Sequence, residues 1–149
     1  MKREIKFNTQ ICTTKEQSKR LLELGLDVDT SDMCWLAKKL WGNDVEIPEE
    51  DRHYILSTDK DDSFCSRYDV DCVPAWSLHR LIAMLPDFFS NLGRQFNLKM
   101  DKCFLRYCTA RNDEYIYFQQ KDTLYDNIID CIEWLIKEGH FNKEYLKEE

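Results

Sequence analysis

Cysteine and histidine are the residue types in this chain that could bind a metal ion or supply a nucleophile and its base. The sequence contains seven cysteines and three histidines. A structural zinc site needs four ligands that come in closely spaced pairs, and the chain has no CxxC or HxxxH pair. Cys65 and Cys72 are seven residues apart, and His53, His79 and His140 are each isolated. These spacings predict no metal site.

One acidic segment resembles a calcium-binding loop at its start. Asp59, Asp61 and Ser63 would fit the first three ligand positions of such a loop. The next position requires glycine and holds Phe64, and the twelfth requires glutamate and holds Val70. Because the pattern fails at its two most demanding positions, the segment is predicted to be a solvated acidic loop without bound calcium.

No catalytic motif is present. The chain has no GxSxG, Walker or GxGxxG sequence, and four glycines can hardly form a phosphate cradle. The fold could still bring a thiol close to an imidazole, and Cys72 with His79 is the first pair to consider. An inert Cys72 beside a surface imidazole is the favoured interpretation. The sequence therefore predicts no catalytic residue and no cofactor. The alternative is a small hydrolase or transferase with a site near Trp76, His79 and the 59–72 loop.

Three tyrosines are the candidate binding residues. Alternation along the strand predicted at residues 114–119 places Tyr115 and Tyr117 on one face, and Ile116 and Phe118 on the other. Tyr107 lies on the preceding strand and can join the tyrosine face. The sequence therefore predicts binding through Tyr107, Tyr115 and Tyr117.

The tyrosine face becomes a binding surface only if the last helix of the chain covers the opposite face. Three exposed tyrosines would then form a patch suited to contact with a protein. The length of the chain favours the other arrangement, because 149 residues supply enough material for Trp35 or Trp41 to cover the tyrosines as a second core layer.

The element that must position these residues is an amphipathic helix from Asp122 to Gly139. Thr123 or Asp122 can cap its first turn, where Asp126 suits both the reciprocal cap and the helix dipole. Gly139 supplies the left-handed residue that ends a helix. Apolar residues recur at helical spacing along one side: Leu124, Ile128, Cys131, Ile132, Leu135 and Ile136. This apolar stripe is predicted to pack into the hydrophobic core and to anchor it.

Three shorter helices are predicted. Residues 13–17 contain two overlapping capping boxes, Thr13 with Glu16 and Thr14 with Gln17, so a helix should run from about residue 14 to 24. Ser77 can cap a second helix, which Pro86 closes. The apolar residues of Met33–Leu36 and Leu40–Trp41 predict a third, laid on the core.

Antiparallel strands complete the predicted fold. Residues 87–95 are expected to connect elements, and residues 1–12 to form a short edge strand or an extended docking arm. Strands are predicted at four places: residues 53–57, 96–100, 103–108 and 114–119. The order of elements predicts a single α+β domain over residues 1–149, with a short antiparallel sheet and helices on one face.

Composition limits the partners. The formal net charge of −7 argues against generic nucleic-acid binding, which requires a basic surface. No apolar run reaches the length of a membrane span, and no apolar stretch follows the Met1–Glu4 start. A cytoplasmic protein with reduced cysteines is therefore expected.

Three phrases of the sequence resemble small uncharacterised proteins encoded in gut Bacteroides-type genomes, often near prophage or mobile-element genes. They are residues 14–25 followed by Thr30–Met33, then Pro74–Leu78, and then Asp126–Gly139. The resemblance covers about half the chain. It implies a bacterial or phage origin and supplies no activity and no site residues. Together these observations favour a small acidic interaction module without enzymatic activity, which binds a protein partner or associates with itself.

Overall fold

The computed structural model describes residues 9–58, 69–111 and 113–148. In these ranges the chain forms three α-helices: α1 (Lys15–Glu23), α2 (Leu78–Met84) and α3 (Leu124–Glu138). It also forms seven strands: β1 (Met33–Lys38), β2 (Ile55–Ser57), β3 (Val70–Ala75), β4 (Phe88–Asn91), β5 (Arg94–Met100), β6 (Phe104–Cys108) and β7 (Tyr115–Gln120). Single 3₁₀ turns lie at Val28–Thr30, Glu49–Asp51 and Lys143–Tyr145. The α+β prediction is confirmed.

The strands form two antiparallel sheets, where the sequence predicted one. The smaller sheet has the order β2-β1-β3, and the larger has the order β4-β5-β6-β7. The predicted strand at residues 53–57 corresponds to β2, and the predicted ribbon corresponds to β5, β6 and β7. Strands β1, β3 and β4 were not predicted.

Two local predictions are wrong. Met33–Leu36 was predicted to be helical, but it belongs to β1, which pairs with β2 on one side and β3 on the other. A short apolar run does not distinguish helix from strand. The secondary structure of this segment is therefore set by its pairing with distant strands. The predicted connection at residues 87–95 is a hairpin, because Leu92 and Gly93 both adopt positive φ (50° and 76°) and form a tight turn between β4 and β5.

Helix α3 begins and ends at the predicted residues. The Thr123 side chain accepts a hydrogen bond from the Asp126 amide, and its hydroxyl donates to the Asp126 carboxylate at 2.9 Å. Gly139 ends the helix with φ of 76°. Ile128 and Ile132 are fully buried, so the apolar stripe faces the core as predicted.

Helix α1 uses one of its two predicted capping boxes, that of Thr14 with Gln17. Thr13 instead links the start of α1 to Trp76, the residue that directly follows β3. It is fully buried, its hydroxyl contacts Ser18 Oγ at 2.7 Å, and its backbone amide donates to the Trp76 carbonyl at 2.9 Å. The Trp76 amide in turn donates to the Thr13 hydroxyl at 3.1 Å.

Two apolar clusters follow from this architecture. We call the larger one the main core. It lies between α3, the inner face of the larger sheet, α1 and α2, and includes Leu21, Leu81, Tyr107, Ile132 and Leu135. The small cluster contains Cys34, Leu36 and Val70, with Cys72 packed against it, and belongs to the smaller sheet. No helix among the described residues is long and apolar enough to cross a membrane.

Candidate interaction surface on the larger sheet

Tyr107 lies inside the main core. Its side chain has no exposed surface, its hydroxyl donates to the Pro86 carbonyl at 2.8 Å, and its ring packs against Phe89 with centroids 4.8 Å apart. Burial raises the pKa of the hydroxyl far above its usual range, and Cys131 and Asp87 add to the effect. The structure therefore places this candidate binding residue out of reach of a partner.

Tyr117 is half-buried beneath α3. Its ring packs on Trp134 with centroids 4.9 Å apart, and burial raises the pKa of its hydroxyl. Helix α3 therefore covers the face that carries Tyr107 and Tyr117. This corrects the premise of the predicted tyrosine patch, which needed the helix on the opposite face. The covering residue is Trp134, where the sequence suggested Trp35 or Trp41.

Tyr115 is the one predicted binding residue at the surface, with 61% of its area exposed. A β-bulge explains why it separates from Tyr117. Tyr107 pairs with Tyr117, but Cys108 pairs with Tyr115, so Ile116 has no residue opposite it. The extra residue reverses the alternation and turns Tyr115 outward.

The outer face of the larger sheet carries a surface that we call the aromatic patch, formed by Phe104, Arg106, Tyr115 and Phe118. The Phe118 ring lies between the other two, with centroids 5.6 Å from Tyr115 and 6.1 Å from Phe104. Phe118 is 43% exposed. The Arg106 guanidinium lies 5.4 Å from the Phe104 ring centroid, within cation–π range. Sequence analysis missed this patch because the simple alternation placed Phe118 under α3.

Arg106 has an unused hydrogen-bond donor. Its Nε atom is buried and has no hydrogen-bond partner among the described residues. The neighbouring cations are differently placed, since Lys99 lies 3.5 Å from an Asp113 oxygen and Arg94 pairs with Glu114. An unpaired buried N–H costs about 1–3 kcal/mol.

The residues of the alternative catalytic site do not converge in the described chain. Trp76 is fully buried and its Nε1 donates to Thr30 Oγ1 at 2.9 Å, while His79 lies exposed on α2. Cys72 lines a groove of about 230 Å³ with Lys15 and neighbours from α1, and His79 is not among the residues that line it. The acidic segment at residues 59–68 lies outside the described residues.

Two further grooves lined by described residues are of similar size. A groove of about 270 Å³ lies on the smaller sheet beside Leu36 and Ile55, and another of about 260 Å³ lies beside His140 and Tyr145. Ligand pockets usually have volumes of about 300–1,000 Å³. The three grooves described are therefore smaller than usual ligand pockets.

Within the described residues, no cluster of three or more His, Cys, Asp or Glu side chains could hold a metal ion. The six described cysteines form no disulfide. Burial, helped by Asp32, raises the pKa of Cys12 to about 11, and burial also raises that of Cys131. Both thiols therefore stay protonated at neutral pH and are poor nucleophiles.

A scan against protein-family models, a search of curated proteins and a search of solved structures each gave no match to this chain. The function proposed below is therefore based on the geometry of the aromatic patch.

Proposed function

We propose that this chain is a non-enzymatic protein-interaction module whose aromatic patch binds a carboxylate-bearing segment of a partner protein. The observation that carries the proposal is that the Phe118 ring contacts both Phe104 and Tyr115, while the Arg106 guanidinium lies beside the Phe104 ring. Aromatic residues and arginine supply most of the binding energy at protein interfaces.

The patch suits this role because it is rigid. Its residues lie on β6 and β7, and the opposite face of these strands packs against α3. Binding to such a surface orders few side chains, so little entropy is lost. The positive charge of the Arg106 guanidinium favours a carboxylate, and the adjacent Phe104 ring supplies apolar contact beside it.

A protein partner suits the patch better than a nucleic acid does. Phosphate-backbone binding requires several unpaired cations, but Lys99 and Arg94 of β5 already interact with Asp113 and Glu114. The net charge of −7 also opposes a polyanion. One available guanidinium favours a single carboxylate over a chain of phosphates.

The proposal can be tested by selecting peptides from a displayed random library against the immobilised protein. We expect the selected peptides to be enriched in Asp and Glu flanked by apolar residues. Their affinity should fall at least tenfold for Phe118→Ser and for Arg106→Gln, since each removes an anchor of roughly 1.4 kcal/mol or more.

The matched control is Leu92→Asn. Leu92 is 93% exposed, lies in the β4–β5 turn near the edge of the sheet opposite β7, and has a positive φ that asparagine tolerates. Peptides that bind through the patch should bind this variant as well as the parent. Equal losses in all three variants, or selected peptides without enrichment in Asp and Glu, would contradict the proposal.

Two further parts of the sequence-based hypothesis remain predictions. A hydrolase or transferase site near Trp76, His79 and the 59–72 loop gains no support from the described geometry. A bacterial or phage origin rests only on the resemblance of short sequence segments.

A further inference from the structure

A row of three side chains crosses the outer face of the larger sheet. Lys99 of β5 lies directly opposite Arg106 of β6, and Arg106 lies directly opposite Phe118 of β7. Opposite residues of antiparallel strands point to the same face, with their Cβ atoms about 4.5–5.5 Å apart. Lys99 therefore lies on the face that carries the aromatic patch and places a second cation next to Arg106.

The two cations of this row differ in their partners. Like charges directly opposite each other destabilise a sheet unless an anion compensates them. Lys99 has a carboxylate nearby, since its Nζ lies 3.5 Å from Asp113 Oδ1. The Arg106 guanidinium lies against the Phe104 ring and forms no ion pair with any residue that the structure describes. The pair therefore keeps a positive charge that one further carboxylate between the two side chains would balance.

Asp113 holds Lys99 only loosely. The side chains of Lys99 and Asp113 are 46% and 68% exposed, and ion pairs so exposed contribute little to stability. Their separation of 3.5 Å also exceeds the roughly 2.7–2.9 Å of a strong charge-assisted hydrogen bond. Lys99 can therefore exchange the Asp113 carboxylate for another one.

We infer that Lys99 and Arg106 together hold one carboxylate of the partner, and that Asp113 competes with the partner for Lys99. The inference rests on the proposed function and adds to it a second specificity-determining residue and a competing group within the chain. A guanidinium and an ammonium on either side of a carboxylate can each donate to a different oxygen. Lys99 exchanges one carboxylate for another and Arg106 gains one, so Asp113 sets how strongly a partner must compete.

Calorimetric titration of the full chain with a selected acidic peptide tests the competition. Lys99→Gln removes one contact of the carboxylate and should raise the Kd roughly two- to fivefold. Asp113→Asn removes the competitor and should lower the Kd by a similar factor. Asp113 has a φ of 48°, which asparagine tolerates as well as aspartate does, so this variant keeps the local backbone.

A double variant distinguishes competition at Lys99 from a general effect of charge. Lys99→Gln combined with Asp113→Asn should have the Kd of Lys99→Gln alone, because no ammonium is left to compete for. The matched control is Glu144→Gln, which changes the net charge equally at an exposed position of the 3₁₀ turn after α3 and should leave the Kd unchanged. The inference would be overturned if Asp113→Asn left the Kd unchanged, kept its effect in the double variant, or matched Glu144→Gln.

Acetate gives a readout that does not depend on a partner protein. Arg106 Nε is buried, so its proton is shielded from exchange with water and should be visible by NMR. Acetate should shift this resonance at a lower concentration in Asp113→Asn than in the parent, and at a higher one in Lys99→Gln. Chloride at the same ionic strength is the control. An acetate response that is equal in all three proteins, or equal to that of chloride, would contradict the inference.

The two measurements separate the inference from the proposed function. Peptides that lose affinity with Arg106→Gln but not with Lys99→Gln would refute the inference alone. A protein that selects no acidic peptide but shows the expected order of acetate responses would refute the proposed function alone.

Discussion

The two sheets have the same antiparallel geometry but differ in what covers them. The main core beneath the larger sheet contains seventeen of the buried residues described, whereas the small cluster of the smaller sheet contains three. Both sheets leave some apolar side chains exposed, for example Ile55 (56%) on the smaller sheet and Phe88 (58%) on the larger.

The covering helix, more than the ladder of strands, therefore determines how firmly each sheet is held. Helix α3 buries Ile128, Ile132 and Leu135 completely against the larger sheet. Burying one such side chain contributes about 1.5–3 kcal/mol. The proposed binding surface lies on the outer face of this better-supported sheet, which suits a pre-formed platform.

Trp76 and Thr13 connect the smaller sheet to the main core. Trp76 directly follows β3 of the smaller sheet, but its ring belongs to the main core. Thr13 exchanges hydrogen bonds with Trp76, and the Thr13 carbonyl accepts one from Trp35 Nε1 at 3.0 Å. The regions are therefore expected to unfold together, and differences between them should appear as differences in mutational cost.

The largest effect is expected for Ile132→Ala in the main core. Because the side chain is fully enclosed, truncation should lower the free energy of unfolding by about 2–5 kcal/mol. The adjacent control is Glu133→Ala, which removes surface ion pairs with Arg20 and Lys137 and should cost no more than about 1 kcal/mol. Urea unfolding measures both, and equal costs would mean that the stripe of α3 does not face the core.

A smaller effect is expected for Leu36→Ala in the small cluster. Leu36 is 6% exposed and has few buried apolar neighbours, so the cost should lie near about 2 kcal/mol, the lower limit for such truncations. The same urea titration compares it with Ile132→Ala. A cost for Leu36→Ala above that for Ile132→Ala would reverse the comparison between the two regions.

The next largest effect on the free energy of unfolding is expected for Asp130→Asn in α3. Asp130 is 12% exposed and interacts with Arg20, Gln119 and Lys121. Burial alone would raise its pKa, but the hydrogen bonds from these three side chains outweigh burial and lower it. Asp130→Asn should therefore cost about 1–2 kcal/mol at pH 7.

The stability cost of Asp130→Asn is expected to depend on pH. A lowered folded-state pKa stabilises the protein above the unfolded value of about 3.9, and the contribution is lost as pH falls through the folded value. The cost of Asp130→Asn should therefore shrink below about pH 4. Asp71, which is 26% exposed and accepts from Tyr54 in the smaller region, is the comparison. Asp71→Asn should cost less at pH 7, and an equal or greater cost would count against the comparison.

The smallest effect on stability is expected at the aromatic patch. Phe118→Ser removes a ring that is 43% exposed and contacts Phe104 and Tyr115, so the free energy of unfolding should change by less than about 1 kcal/mol. Thermal unfolding of the variant beside the parent measures the change. A loss as large as that of Ile132→Ala would mean that the patch is structural.

Much of the fold follows from local sequence. The ends of α3 at Thr123 and Gly139, the capping box of Thr14 with Gln17, and the Ser77 cap of α2 all lie where residue types predicted them. Caps and apolar periodicity act within a few residues, so no distant partner is needed to recognise them. Strands β5, β6 and β7 were predicted for the same reason, since alternation is also local.

The candidate surface depended on distant contacts. Strand β1 became extended because β2 and β3 pair with both of its sides, and neither partner is visible from Met33–Lys38 alone. The bulge at Ile116 separated Tyr115 from Tyr117, and α3 then covered Tyr117. In a strand of period two, one extra residue moves a side chain to the opposite face. The sequence therefore determined that aromatic residues lie on β7, and only the tertiary structure decided which of them reach the surface.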